Sequence, residues 1–285
     1  MRDLRPDWIN ILVLAGVHLM GVVAVLYMAL VRFDWQTAAL ALAWFAVVGL
    51  SVGGGYHRLF AHRTYRAIWP LRLGYLFFGS AAVQNSALSW SADHRVHHAY
   101  ADGPRDPYNI TRGFWWAHIG WVFYKSPPRP DDDVSDLQAD PLVAFQHRWY
   151  VLLAVVFGLA LPTAIGALWG DWLGGLLVAG FLRLVLQWQT TFTINSVAHW
   201  IGHQPYCTST SARDSSITAL ISFGEGYHNF HHRFQADYRN GVRWWQLDPT
   251  KWFVWSMSKL GVTRDLRVTP ADAIRRARET VAAGG

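Results

Sequence analysis

Eight of the chain's thirteen histidines fall in three short segments. The first holds His57 and His62 in HRLFAH, the second His94, His97 and His98 in DHRVHH, and the third His228, His231 and His232 in GEGYHNFHH. Spacings of i, i+3 and i+4 place three imidazoles on one face of a helix. Neutral imidazole is the commonest side-chain metal ligand, so each trio can converge on one ion or on a close pair. A single histidine is ordinarily structural or solvated. Two copies of HxxHH with one HxxxxH, each at the edge of an apolar segment, are a different case, because so many unsatisfied imidazoles would be costly to bury. An imidazole donor set with few carboxylates suits iron, copper or zinc, whereas magnesium and calcium want oxygen. Eight ligands exceed what one ion coordinates, so two metals are expected. Two irons facing a bilayer could use dioxygen to take hydrogen from an unactivated methylene. Zinc hydrolysis would need a glutamate base, and Glu225 is the only glutamate beside a box.

The elements that must position these ligands are apolar. Hydrophobic residues make up 52% of the 285 residues and charged ones 15%, with a positive mean hydropathy, a balance that points to a membrane protein. Seventeen tryptophans agree, since indole concentrates at the membrane–water interface. The pI near 9.6 does not bring nucleic acid into view, because no basic run is interleaved with base-stacking aromatics. Membrane topology and anionic ligands explain the positive balance better. The single cysteine, Cys207, rules out a disulfide within the chain and any CxxC metal site.

In chain order, 8–31 is apolar for about the twenty residues a bilayer core needs. It is too long for a signal-peptide core. His18, inside it, reads as a helix-packing residue. A turn over 32–36 sends the chain back through a second span, 37–52, which ends at Gly53-Gly54-Gly55. These glycines form no phosphate loop; they permit close backbone approach or a change of direction before the first box. A short apolar run over 71–83 reads as an interfacial or buried helix. A turn-rich loop over 102–109 follows the second box, and 125–133 is a proline-punctuated linker. Spans 149–169 and 172–194 make a second hairpin, with Pro162 kinking the first of them. The tryptophan-rich stretch 244–260 reads as interfacial, and 270–282 as a basic surface helix that is solvated or lipid-facing.

Charge sets the orientation. Ten Lys/Arg lie between Tyr56 and Arg148 and eleven from His199 to the end, against Arg32 alone in the two hairpin turns. The positive-inside bias puts both termini and all three boxes in the cytoplasm. The expected fold is an all-α integral membrane protein, one domain over 1–285. Four transmembrane helices in two hairpins carry a cytoplasmic helical cap, 53–148 and 195–285, that holds the histidine site. Asn195 and His199, at i and i+4 on the end of the fourth span, can face that site too.

The three boxes and the hairpins between them resemble the membrane fatty acyl desaturases, and most of all their acyl-CoA Δ9 (stearoyl-CoA type) branch, over roughly 53–247. Gln84-Asn85, Trp90, DPYN at 106–109, RGFWWAH at 112–118 and NSVAH at 195–199 extend the likeness. The resemblance implies a di-iron centre with nine ligands: His57, His62, His94, His97, His98, His199, His228, His231 and His232. Asn195 would hold one iron through a water. It also implies that Gln84, Trp90 and Thr191 bend the acyl chain at the point of oxidation, and that Asn85 and Asp93 lie near the thioester. His118, His147 and His203 fall outside the ligand pattern and read as supporting or surface groups. Animal members carry a basic residue where this chain has Ala92, which leaves the acyl carrier open between coenzyme A, acyl carrier protein and a phospholipid ester. Front-end desaturases begin the third box with glutamine and carry a fused cytochrome b5 domain; here the position is His228 and no such domain is seen, so an external electron donor is expected.

The implied activity is oxygen-dependent insertion of a cis double bond into a saturated acyl chain, with no catalytic side chain beyond the di-iron ligands. Dioxygen leaves as water, and two electrons come from a ferredoxin, rubredoxin or cytochrome b5 type protein. A membrane hydroxylase of acyl chains, alkanes or sterols is the nearest alternative. A non-catalytic metal or haem carrier would more naturally place its histidines within the spans.

Overall fold

A computed structural model describes residues 4–125 and 134–284. The proline-punctuated linker therefore lies, apart from Lys125, outside the described residues. The chain is mostly helical, and by compactness it divides into two units.

The first unit comprises Met1–Val52, Leu73–Trp90 and Val122–Gln189. Helix α1 (Trp8–Leu30) opens where the Asp7 carboxylate accepts from the Asn10 N–H. Asp34 does the same for Gln36 and Thr37 at the start of α2 (Trp35–Ala61). The short apolar run forms α3 (Trp69–Ser80), and the second box rides on α4 (Ala87–Tyr100). The second hairpin is α5 (Tyr150–Ala167) and α6 (172–195). Among the described residues three helices, α1, α2 and α5, are long and apolar enough to cross a membrane. Their outer faces leave Ile9, Leu12, Leu30, Leu42 and Val151 about three-quarters exposed, apolar surface that a bilayer covers. This is the pattern of an integral membrane protein. Helix α6 has the length but carries Arg183, Gln187 and Gln189 and is not among the three.

Three features hold this unit together. Trp44, Val48 and Val52 pack on Ala81 and Ala82, while Ala24 packs on Leu177 and Val178. Pro162 supplies no N–H, and α5 widens into a π-helical turn over Val156–Ala160 just ahead of it. The carbonyls five and four residues before the proline are taken up from outside the helix: Trp44 Nε1 donates to Phe157 O (2.8 Å) and Arg183 Nη2 to Gly158 O (3.0 Å). At the hairpin turns the buried Asp171 carboxylate accepts from Tyr27 Oη (2.5 Å), Thr37 Oγ1 (2.5 Å) and the Gly174 N–H (3.0 Å). His18 is a packing residue, as expected: Nδ1 donates to Leu14 O and Nε2 accepts from Gln189.

The second unit comprises Gly53–Arg72, Ser91–Trp121 and Thr190–Gly285. The expectation that the second span ends at the triple glycine is corrected here: α2 runs on to Ala61, as a π-helix over Ser51–Ala61. Close approach is what the glycine supplies. A Cβ on Gly53 would stand 3.1 Å from both Glu225 Oε1 and Thr250 Oγ1. The third box forms the single-turn α7 (His228–Arg233), followed by α8 (Pro249–Lys259) and α9 (Ala271–Ala282). The basic helix α9 is not simply solvated or lipid-facing. Ile274 and Ala277 pack on Tyr206 and Phe230, and Arg278 donates to Tyr206 Oη (2.7 Å); Arg275 and Arg276 stay on the open face. A two-residue antiparallel ladder pairs Arg66–Ala67 with Thr263–Arg264. In the tryptophan-rich stretch, Trp244, Trp245, Trp252 and Trp255 are all exposed.

Candidate metal centre

All nine histidines lie in the second unit, and local geometry explains how they meet. His57 and His62 are five residues apart, about 140° out of register on an α-helix. The π-helical turn corrects this: the His62 N–H donates to His57 O (3.1 Å), so the two rings fall one wide turn apart. Helices α4 and α7 carry the two HxxHH trios. His199 does not continue α6, as the i, i+4 reading with Asn195 supposed. The helix ends at Asn195, and His199 sits on a separate 3-10 turn, Val197–His199.

The imidazoles gather into two groups, each able to hold a metal ion: His57, His62, His94, His98 and His231 in one, His97, His199, His228 and His232 in the other. Each trio is thus split between groups. Within the first, the Nε2–Nε2 separations are 2.9 Å for His57–His231, 2.8 Å for His62–His94 and 2.9 Å for His98–His231. In the second they are 3.2 Å for His97–His232, 3.0 Å for His199–His228 and 3.1 Å for His228–His232. These are not ordinary hydrogen bonds, because His231 Nε2 and His228 Nε2 each face two other ring nitrogens. Nitrogens about 2.1 Å from one metal, at right angles to each other, stand about 3.0 Å apart. The donor set fits two ions.

On three of the rings the outer nitrogen fixes the tautomer. His57 Nδ1 donates to Glu225 Oε2 (2.7 Å) and His97 Nδ1 to Asp106 Oδ1 (2.9 Å). His199 Nδ1 donates to Ser211 Oγ (2.7 Å), which donates in turn to Asp102 Oδ1 (2.5 Å). With the proton held on Nδ1, the Nε2 lone pair points inward. Burial, reinforced by neighbouring imidazoles, pushes His62, His94, His98, His199, His228, His231 and His232 well below the usual histidine range. Neutral imidazole is the form a metal requires.

Glu225 is no free base. Its carboxylate is buried, accepts from Arg58 Nη2 (2.9 Å) and Asn240 Nδ2 (2.6 Å), and grips His57. Burial alone would raise its pKa, but the charge of Arg58, helped by His57, holds it at about 2. Asp248 completes the network on Arg58, at 3.0 Å and 3.2 Å. Sequence reasoning missed Asp102, Ser211 and Asp248 as supports, and no spacing signal marks them. Asp106, inside the quoted DPYN stretch, was within reach.

Of the residues expected around a substrate, Gln84, Asn85 and Trp90 belong to the first unit and Asp93 and Thr191 to the second. Trp90 packs against the Trp44 cluster, Asn85 is exposed with φ of 73°, and Asp93 is buried. Asn195 is half-buried at the end of α6. His118 bonds Ser196 Oγ (2.9 Å), His147 bonds Ser86 Oγ (2.7 Å), and His203 pairs through its backbone with Asp214.

The profile of the family described as fatty acid desaturase matches residues 33–264. The chain belongs to the fatty acid desaturase family. Acyl-CoA desaturase 1 of Saccharomyces cerevisiae is 43% identical over 277 residues, covering 95% of this chain and 54% of the yeast protein. Stearoyl-CoA desaturase 5 of Bos taurus is 36% identical over 277 residues, covering 93% of this chain and 81% of the bovine one. A Delta(9)-fatty-acid desaturase of Caenorhabditis elegans is 34% identical over 276 residues, 94% of this chain and 81% of its own. The chain spans about half the length of the two fungal relatives it matches, 54% and 56%. The matched segment takes in all nine histidines.

Proposed function

We propose that this desaturase introduces a cis double bond, at the Δ9 position, into a saturated acyl thioester, with acyl-CoA as the carrier. The observation that carries the reading is the pair of histidine groups in a member of this family, whose relatives are named for acyl-CoA and stearoyl-CoA. The nine histidines would hold two irons, five ligands to one and four to the other, with Asn195 reaching one of them through a water. When bound, an iron pair supplies the activation of dioxygen and the removal of hydrogen from two adjacent methylenes. The chain's own residues do the rest. Glu225, Asp106 and the Ser211–Asp102 pair keep Nδ1 of His57, His97 and His199 protonated so that these three imidazoles present their Nε2 lone pairs. Gln84, Trp90 and Thr191 bend the acyl chain, and Asn85 and Asp93 meet its thioester end. Rate then depends on holding one methylene pair beside the metals.

The same reading makes 1–285 one catalytic domain with α6 as a fourth span. It places both termini and the histidine site on the cytoplasmic side, and it draws electrons from a ferredoxin, rubredoxin or cytochrome b5 type donor. Fatty-acid methyl ester profiling of a host expressing the chain, beside the His97→Ala and His228→Ala variants, tests it. A new cis-monounsaturated ester, absent with both variants, is the expected result. Hydroxylated chains would replace desaturation by hydroxylation on the same scaffold. No new product, from protein shown to hold two irons and given a working reductant, would overturn the substrate.

A further inference from the structure

In the first unit the segment Ala81–Ala87 links α3 to α4, and its backbone is unusual. Val83 and Asn85 both take positive φ, 51° and 73°. Asparagine tolerates that region; a β-branched valine does so only where its surroundings over-determine it. The surroundings here are side chains from the second hairpin and from the short helix before it, Pro141–Arg148. Arg183 Nη1 donates to Ala81 O (2.8 Å) and Trp188 Nε1 to Ala82 O (2.8 Å), so two carbonyls at the open end of α3 are both held from α6. The Asn85 N–H donates to Tyr150 Oη (3.0 Å), and the Ala87 N–H to Gln146 Oε1 (3.1 Å). Every one of these partners is in the same unit.

Arg183 makes the arrangement costly. It is 1% exposed, and among the described residues it pairs with no carboxylate. Its other bonds go to Gly158 O, freed by Pro162, and to Ala179 O on its own helix. A buried guanidinium spent on backbone carbonyls is a poor way to gain stability, because its desolvation is not repaid by a counter-charge. What it does supply is rigidity, tying the linker to both helices of the second hairpin at once.

We infer that Arg183, Trp188 and Tyr150 are positioning residues that hold the Ala81–Ala87 linker, and with it Gln84, in one conformation and so set which methylene pair is oxidised. The inference rests on the acyl-chain role proposed above for Gln84. None of the three acts on the substrate itself. They act through the linker backbone, and the strain at Val83 is the mark of the constraint.

Tyr150→Phe deletes one hydrogen bond at nearly constant shape, Trp188→Phe deletes one together with part of the buried indole, and Arg183→Lys keeps the charge but loses the fork. The products of each variant are resolved by double-bond position, alongside the total product and the iron content of the purified protein. The expected result is about a fivefold rise in the ratio of neighbouring positional isomers to the main one, as loss of one net hydrogen bond would give, with iron content unchanged. A fall in total product at a fixed isomer ratio in both Phe variants would overturn the inference and leave the three side chains as structural supports. Should Arg183→Lys fail to fold, the two Phe variants decide the matter alone. A wild-type protein that gives no unsaturated product at all overturns the desaturase reading instead, so the two failures are distinct.

Discussion

The carboxylates behind the histidines divide the labour between the two metal groups. Among the described histidines Asp106 bonds His97, in the four-histidine group, and Glu225 bonds His57, in the five-histidine group. Loss of such an outer partner typically weakens metal binding about 10- to 100-fold. On the proposed di-iron loading, Asp106→Asn should therefore bring iron from about two per chain to about one after dialysis against a chelator, by elemental analysis. Loss of both irons, or of neither, would mean that Asp106 does not serve one group. A second residue-scale effect concerns stability. Burial, outweighing the bonds from the Phe230 and Asn229 N–H groups, pushes the Asp214 carboxyl up to about 7. Between its ordinary range near 4 and that value the folded chain holds a proton the unfolded chain has released. Stability then falls as pH rises through the interval, by up to about 1.4 kcal/mol per pH unit. Thermal unfolding in detergent from pH 4.5 to 8 should show the slope, and Asp214→Asn should flatten it.

At the scale of elements, two departures from regular helix do the positioning. The π-helical turn of α2 brings His57 and His62 together, and the π-helical turn of α5 accommodates Pro162 while leaving carbonyls for Trp44 and Arg183. The hairpin turns are fixed separately by Asp171. Removing it strands the hydroxyls of Tyr27 and Thr37 and the Gly174 N–H. Asp171→Ala should cost about 3 kcal/mol, since bonds to a charged acceptor are worth about 1.5–3 kcal/mol each and relaxation recovers part. A lowered melting temperature with unchanged iron per folded chain is the expected outcome. Loss of iron in the chain that remains folded would show that this knot also supports the metal site.

For the whole molecule the open question is which side of the bilayer the histidines face. Ten and eleven Lys/Arg on the two polar stretches, against Arg32 alone in the hairpin turns, are the ground for the cytoplasmic placement proposed above. Cys207, the chain's single cysteine, is half-buried in the histidine-bearing unit and reports on this directly. A membrane-impermeant maleimide should label it in inside-out vesicles and leave it unlabelled in right-side-out ones. The reverse pattern would invert the topology.

The sequence determined the kind of side chain gathered at the site and eight of its nine histidines. Eight histidines in three boxes, with almost no carboxylate among them, name the chemistry because donor type is a property of the residues themselves. It also determined the apolar helices, since their length and composition are local. The pairing was beyond it. HxxHH allows all three imidazoles to meet one ion, and only packing assigns His94 and His98 to one group and His97 to the other. The first box looked loose because its spacing suits a π-helical turn, which forms where Gly53 lets α2 lie against Glu225 and Thr250. The tautomers hang on contacts such as Asp102 with Ser211, 109 residues apart, which no local pattern encodes. Ligand identity is written residue by residue, but coordination is a matter of distances that only the folded chain sets.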